Sequence, residues 1–153
     1  MTRDLDVVVM TEDAYIAVEA LQKAGFRSAS PVDRSDEPEP MYILESKEGM
    51  DVDLRVAAGE PESTVVAEAS EASVFGTKAP VASLEHLLLM YLYSSQPRHL
   101  GDFARIVTES DADLDEVTRY LSDVHPEMLS VFNDRVNQAR HPPAPPPRPN
   151  RRR

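Results

Sequence analysis

The chain has no cysteine among its 153 residues. That excludes a disulfide framework and any thiolate zinc site. Long apolar runs are missing too: the longest near-continuous one, residues 87–93, is far too short for a hydrocarbon layer about 30 Å thick. The opening residues are charged, not a basic stretch followed by an apolar one, so no signal peptide is expected and a cytoplasmic protein is the default. Basic residues are scarce, 16 Lys and Arg against 27 Asp and Glu, for a net charge of -11. Clinging to nucleic acid without sequence selectivity takes a basic footprint. Here the strongly basic stretch is the extreme end, with Arg148, Arg151, Arg152 and Arg153. No Walker loop and no glycine-rich dinucleotide fingerprint exists among so few glycines. Ser94-Ser95 lacks the G-x-S-x-G setting of a hydrolase nucleophile. His86, His99, His125 and His141 show no H-x-x-x-H or similar ligand spacing, and surface or helix-end places are expected for them.

What remains is a chain long enough to bury a core, 41% hydrophobic and 28% charged, as a soluble globular domain is. Residues 4–10 read as a short valine-rich strand. Thr11-Glu12-Asp13 reads as a helix start, with Thr11 as N-cap and acids in the first turn, and Gly25 as the stop after about Ala24. Residues 30–40 are a polar loop punctuated by proline. Residues 41–45 and 50–57 predict two strands joined by Ser46-Lys47-Glu48-Gly49, a hairpin signal. Helix signals follow at about 61–71, then short extended stretches at 73–75 and 80–81. The second half predicts helices over 84–94 (capped by Ser83), 97–107, 113–124 and 126–139. Beyond Arg140 the proline-rich text suits neither helix nor central strand and predicts an extended, disordered tail. The fold class is α+β: a small mixed sheet with helices over 1–82, a helical cap over 83–140 packed on it, and the tail over 141–153.

The residues that suggest chemistry are acidic. Asp4 and Asp6 stand one residue apart on the first strand, and Asp51 and Asp53 do so on a later one. Successive strand side chains alternate in face, so each pair shares a face. If the two strands are neighbours, three carboxylates converge, and their mutual repulsion calls for a cation. Mg²⁺ suits an all-oxygen set that it shares with substrate phosphates. Asp-x-Asp is a common string in so acidic a chain, and Asp111, Asp113 and Asp115 give two more. These read as a solvated helix entrance with Asp113 as N-cap. They are no calcium loop, since Glu116 stands where Gly is needed and Ser122 where Glu is needed.

The string Thr2-x-Asp4-Leu5-Asp6 on a valine-rich strand, the helix ending Ala24-Gly25-Phe26, and Val52-Asp53-Leu54 together resemble the core of the DNA polymerase β-like nucleotidyltransferase superfamily. The later run from Pro80 through Ser83-Leu84-Glu85 to Tyr91-Leu92, followed by Pro97-Arg98-His99 and Asp102, is similar to a segment of bacterial AbiEii-type nucleotidyltransferase-like proteins. The resemblance covers roughly residues 2–108. It implies Mg²⁺-dependent transfer of a nucleoside monophosphate from an NTP to an acceptor, RNA or protein. Asp4, Asp6 and Asp53 would hold metal, Asp53 would also help activate the acceptor hydroxyl, and Arg98 would face phosphate. In such families two metals about 3.5–4 Å apart clamp the attacking and leaving oxygens, leaving the protein to position and neutralise. The family's Gly-Gly or Gly-Ser element would lie before Met1, its helix lysine is Tyr91 here, and an aspartate common in the next motif is His99. The expectation is therefore an N-terminally shortened relative with an incomplete site. The alternative is a non-catalytic module with a protein partner, as in a toxin–antitoxin-like pair, its Pro/Arg tail serving as a docking segment.

Overall fold

A computed structural model describes residues 4–34 and 38–142. Of the extended tail expected over 141–153, residues 143–153 lie outside the described residues, as do Thr2 and the centre of the 30–40 loop. The chain is α+β and divides between Ala82 and Ser83 into two compact units.

In the first unit, β1 (Asp4–Met10) leads through a 3-10 turn (Thr11–Asp13) into α1 (Ala14–Lys23). Then follow β2 (Arg27–Ser28), β3 (Met41–Glu45), β4 (Asp51–Ala57), α2 (Glu62–Ala67) and the pair β5 (Ser70–Val74) and β6 (Thr77–Val81). Four strands form a mixed sheet in the order β1-β4-β3-β2; β5 and β6 form a separate antiparallel hairpin. β3 and β4 are antiparallel neighbours, joined by a turn in which Gly49 takes φ +76° and Ser46 bonds the Met50 amide through its side chain. β1 lies parallel to β4.

Alternation decides which face of the sheet is covered. Tyr42, Leu44, Val52, Leu54 and Val56 are buried with Ala14 and Val18 of α1, and Val7 and Val9 pack against the same cluster. Burying each valine or leucine is worth about 1.5–3 kcal/mol, so this face fixes the register of the strands. Thr11 departs from its expected N-cap role. No side chain caps the 3-10 turn, and Thr11 Oγ1 instead donates to the Ala57 carbonyl at 2.9 Å, tying the end of β1 to the end of β4. The helix expected over 61–71 stops at Ala67, because Ser70 is already committed to the hairpin.

The second unit is helical: α3 (Leu84–Leu92), α4 (Pro97–Glu109), α5 (Leu114–Val124), a 3-10 turn (Pro126–Met128) and α6 (Leu129–Arg140). Ser83 and Asp113 cap α3 and α5 through their side chains, Ser83 accepting from the His86 amide and Asp113 from those of Asp115 and Glu116. Leu88, Leu89 and Leu92 of α3 meet Phe103, Val117, Leu121, Phe132 and Val136 in one core. Phe103 and Phe132 pack edge to face, their ring centres 6.0 Å apart. His86 stands in the first turn of α3, a helix-end place as expected, but buried and not at the surface.

Candidate functional site: an acidic sheet face

The parallel register sets Asp4 opposite Asp51 and Asp6 opposite Asp53. Directly opposed residues of neighbouring strands point to the same side, and these four alternate with the buried Val52, Leu54 and their partners. All four carboxylates therefore rise from the face away from α1. Glu45 of β3, paired with Asp51, joins them. Strand spacing places opposed Cα atoms about 5 Å apart and residues two along about 6.6 Å apart.

The same face changes character along its strands. Beyond the acidic end come Val8 and Met10 of β1, Arg55 of β4, and Ile43 and Met41 of β3, the last two exposed. Arg55 approaches Glu62 of α2 at 3.8 Å. Among the described residues, no hydrogen bond or ion pair engages the carboxylate of Asp6, Asp51 or Asp53. Nor do any three His, Asp or Glu side chains among the described residues stand converged as ligands for a metal ion. The carboxylates are side by side, each held on its own strand.

Of the residues that the sequence singles out, Asp4, Asp6 and Asp53 are thus brought onto one face of adjacent strands. Arg98 belongs to the helical unit, in the first turn of α4, where its Nε donates to His99 Nε2 at 3.2 Å. The other ring nitrogen, Nδ1, lies 2.7 Å from Ser94 Oγ. Tyr91 stacks on the His99 ring, with centres 5.0 Å apart and planes 25° from parallel. Arg135 of α6 closes the group by donating to the Tyr91 and Ser94 carbonyls at 2.8 and 3.1 Å. Burial lowers the pKa of this guanidinium. Sequence reading missed Glu45 as a member of the acidic face, although the Gly49 turn and strand alternation could have placed it there. It missed the Arg135 clamp altogether, because nothing local links residues so far apart in the chain.

No family model matches the chain, and no curated protein matches it. Among solved structures, the crystal structure of the lincosamide antibiotic adenylyltransferase LnuA, lincomycin-bound, is similar at 15% sequence identity and a TM-score of 0.44. The likeness covers 69% of this chain and 73% of that one. A likeness so distant says nothing of what the present chain binds or does. No helix among the described residues is long and apolar enough to cross a membrane.

Proposed function

We propose that this chain is a nucleotidyltransferase-like protein that takes a metal-bound NTP on the acidic end of its open sheet face. The observation that carries the reading is the pairing of Asp6 with Asp53, which aligns the Thr-x-Asp-Leu-Asp strand with the Val-Asp-Leu strand. The donor chemistry fits Mg²⁺, since the cluster offers carboxylate oxygen alone and a hard cation prefers that. Asp6 and Asp53, opposed across neighbouring strands, are near enough to share an ion after side-chain rotation. Bound Mg²⁺ supplies neutralising charge for the phosphates and for the carboxylates themselves. In this reading Asp4 and Asp6 anchor the metal, and Asp53 also accepts the proton of the acceptor hydroxyl. A phosphate role for Arg98 is what the resemblance implies, from its motif position alone. The acceptor, RNA or protein, follows from the resemblance only.

The test is calorimetric titration of Mg²⁺ and Mn²⁺, with and without NTP, into the chain and into an Asp4→Asn/Asp6→Asn double variant. Metal–NTP binding that weakens at least about tenfold in the variant supports the reading, that ratio being one lost charged contact. Equal binding by both proteins refutes it. Binding by neither favours the second reading, a non-catalytic regulatory module of a toxin–antitoxin-like system. One observation favours that alternative: Tyr91, at the family's lysine position, is stacked on the His99 ring.

A further inference from the structure

The β5–β6 hairpin is the least supported element of its unit. None of its strand residues is buried, and a lone two-stranded hairpin is marginal in water at best. Its loop is Phe75-Gly76, with φ of +51° and +81°, the two positive values of a type I′ turn. That turn favours Asn-Gly, because a β-carbon at its first position is crowded. Phenylalanine stands there, with 90% of its surface in water. One residue thus carries both a backbone penalty and a solvent penalty, which marks it as a place where something is held.

The two outer edges of the hairpin are unlike. A two-residue loop makes Val74–Thr77 a hydrogen-bonded pair, so Ala72–Ala79 is one too, while Ser73–Lys78 and Glu71–Pro80 are not. Pro80, which has no N–H, therefore faces outward, and β6 is closed to further strands by Pro80 and guarded by Lys78. β5 has neither device. The N–H and C=O groups of Glu71 and Ser73 point outward and bond nothing among the described residues. The Glu71 charge is already matched by Lys78, at 2.7 Å within the same hairpin.

We propose that a second copy of this chain pairs on β5, antiparallel, about a twofold axis through Ala72. That register sets each Glu71 opposite Ser73 of the other copy, with both pairs exchanging N–H and C=O and no like charges opposed. Ala72, Val74, Ala79 and Val81 share one face of the hairpin, and the pairing joins the two small apolar faces into one. Phe75 falls opposite Ala69 of the other copy, where the ring leaves water over a small residue. The strand is self-complementary, as an isologous contact requires, and the contact closes at two copies. It is small beside the roughly 1,000 Å² of a stable interface, so the dimer is weak and depends on concentration.

Sedimentation equilibrium of the full chain tests this up to about 1 mM, near the weak end of measurable association. The expected result is a mass rising toward twice that of the monomer. Ser73→Pro removes an outward N–H and none of the hairpin's own, and should abolish the rise. Phe75→Asn suits the turn better and should keep the hairpin while weakening the dimer about tenfold. In the unaltered chain, exchange of the Glu71 and Ser73 amides should slow as concentration increases, a readout that needs no variant. A monomer throughout, a dimer unaffected by Ser73→Pro, or concentration-independent exchange of both amides would each overturn the proposal.

Discussion

Arg135 is a side chain whose loss should measurably destabilise the helical unit. Its fork donates to two carbonyls at the C-terminal end of α3, Tyr91 at 2.8 Å and Ser94 at 3.1 Å. A helix leaves its last carbonyls without intrahelical donors, and this cap comes from a segment more than forty residues away. Hydrogen bonds to a charged donor are each worth about 1.5–3 kcal/mol when well buried. The site is half-buried and water can replace part of the loss, so Arg135→Met should cost about 2–3 kcal/mol in all. Methionine keeps much of the apolar stem, which separates the cap from packing. Lysine offers a point charge that cannot span both carbonyls, and should cost about half as much. The assay is urea unfolding by far-ultraviolet circular dichroism, with the slope required to stay constant so that the midpoint reports stability. A methionine variant within about 0.5 kcal/mol of the parent, the scatter of ordinary surface changes, would show that the clamp contributes nothing.

Two further predictions follow from the charges. The Glu85 carboxyl is held below its ordinary value of 4.5, chiefly by the Asp113 amide that donates to it at 2.7 Å. The unfolded chain therefore binds this proton more readily, so the stabilisation is complete above the usual carboxylate range and is lost as pH falls through the lowered folded value. Glu85→Gln should make the urea midpoint of the helical unit fall less between pH 7 and pH 3 than in the parent; an unchanged fall refutes the assignment. On the sheet, Asp53→Asn relieves repulsion with the opposed Asp6 and should stabilise the metal-free chain by roughly 0.2–1 kcal/mol, as is typical of cross-strand pairs, read as a raised thermal midpoint. A drop would show that Asp53 makes a favourable contact instead.

The α+β class and most of the elements were legible because the signals are local. Valine-rich alternation marked β1, the Gly49 turn marked the β3–β4 hairpin, and Ser83 and Asp113 announced their helices as side-chain caps do. The failures are of two kinds. β2 pairs through Arg27 and Ser28 alone, too short a stretch to show any period. Residues 61–71 carry helix-compatible Ala, Glu and Ser, yet Ser70 pairs with Val81 because the turn at Phe75-Gly76 returns the chain there. The signal of that turn was hidden, since Phe-Gly is a poor type I′ sequence and only the positive φ at Phe75 reveals it. His86 could have been placed by helical spacing: it lies three residues before the buried Leu89, on the same face of α3.

The candidate site was legible in a different way. Two Asp-x-Asp strings predict shared faces, but only the parallel register of β1 on β4 makes those faces one, and a parallel pairing across four intervening elements leaves no local trace. The result is a sheet that breaks its own rules. Aspartate is a poor strand residue, and like charges directly opposed across strands are destabilising. Here Asp4 faces Asp51, Asp6 faces Asp53, and Glu45 faces Asp51 again. The opposite face of the same strands follows alternation and burial along most of β4, with Val52, Leu54 and Val56 buried in the cluster that Ala14 and Val18 of α1 complete. Stability therefore explains one face and not the other. A sheet consistent on its core side and in conflict on its open side is the pattern on which the proposed metal site rests, and a chain whose Asp53→Asn variant is no more stable than the parent would remove that support.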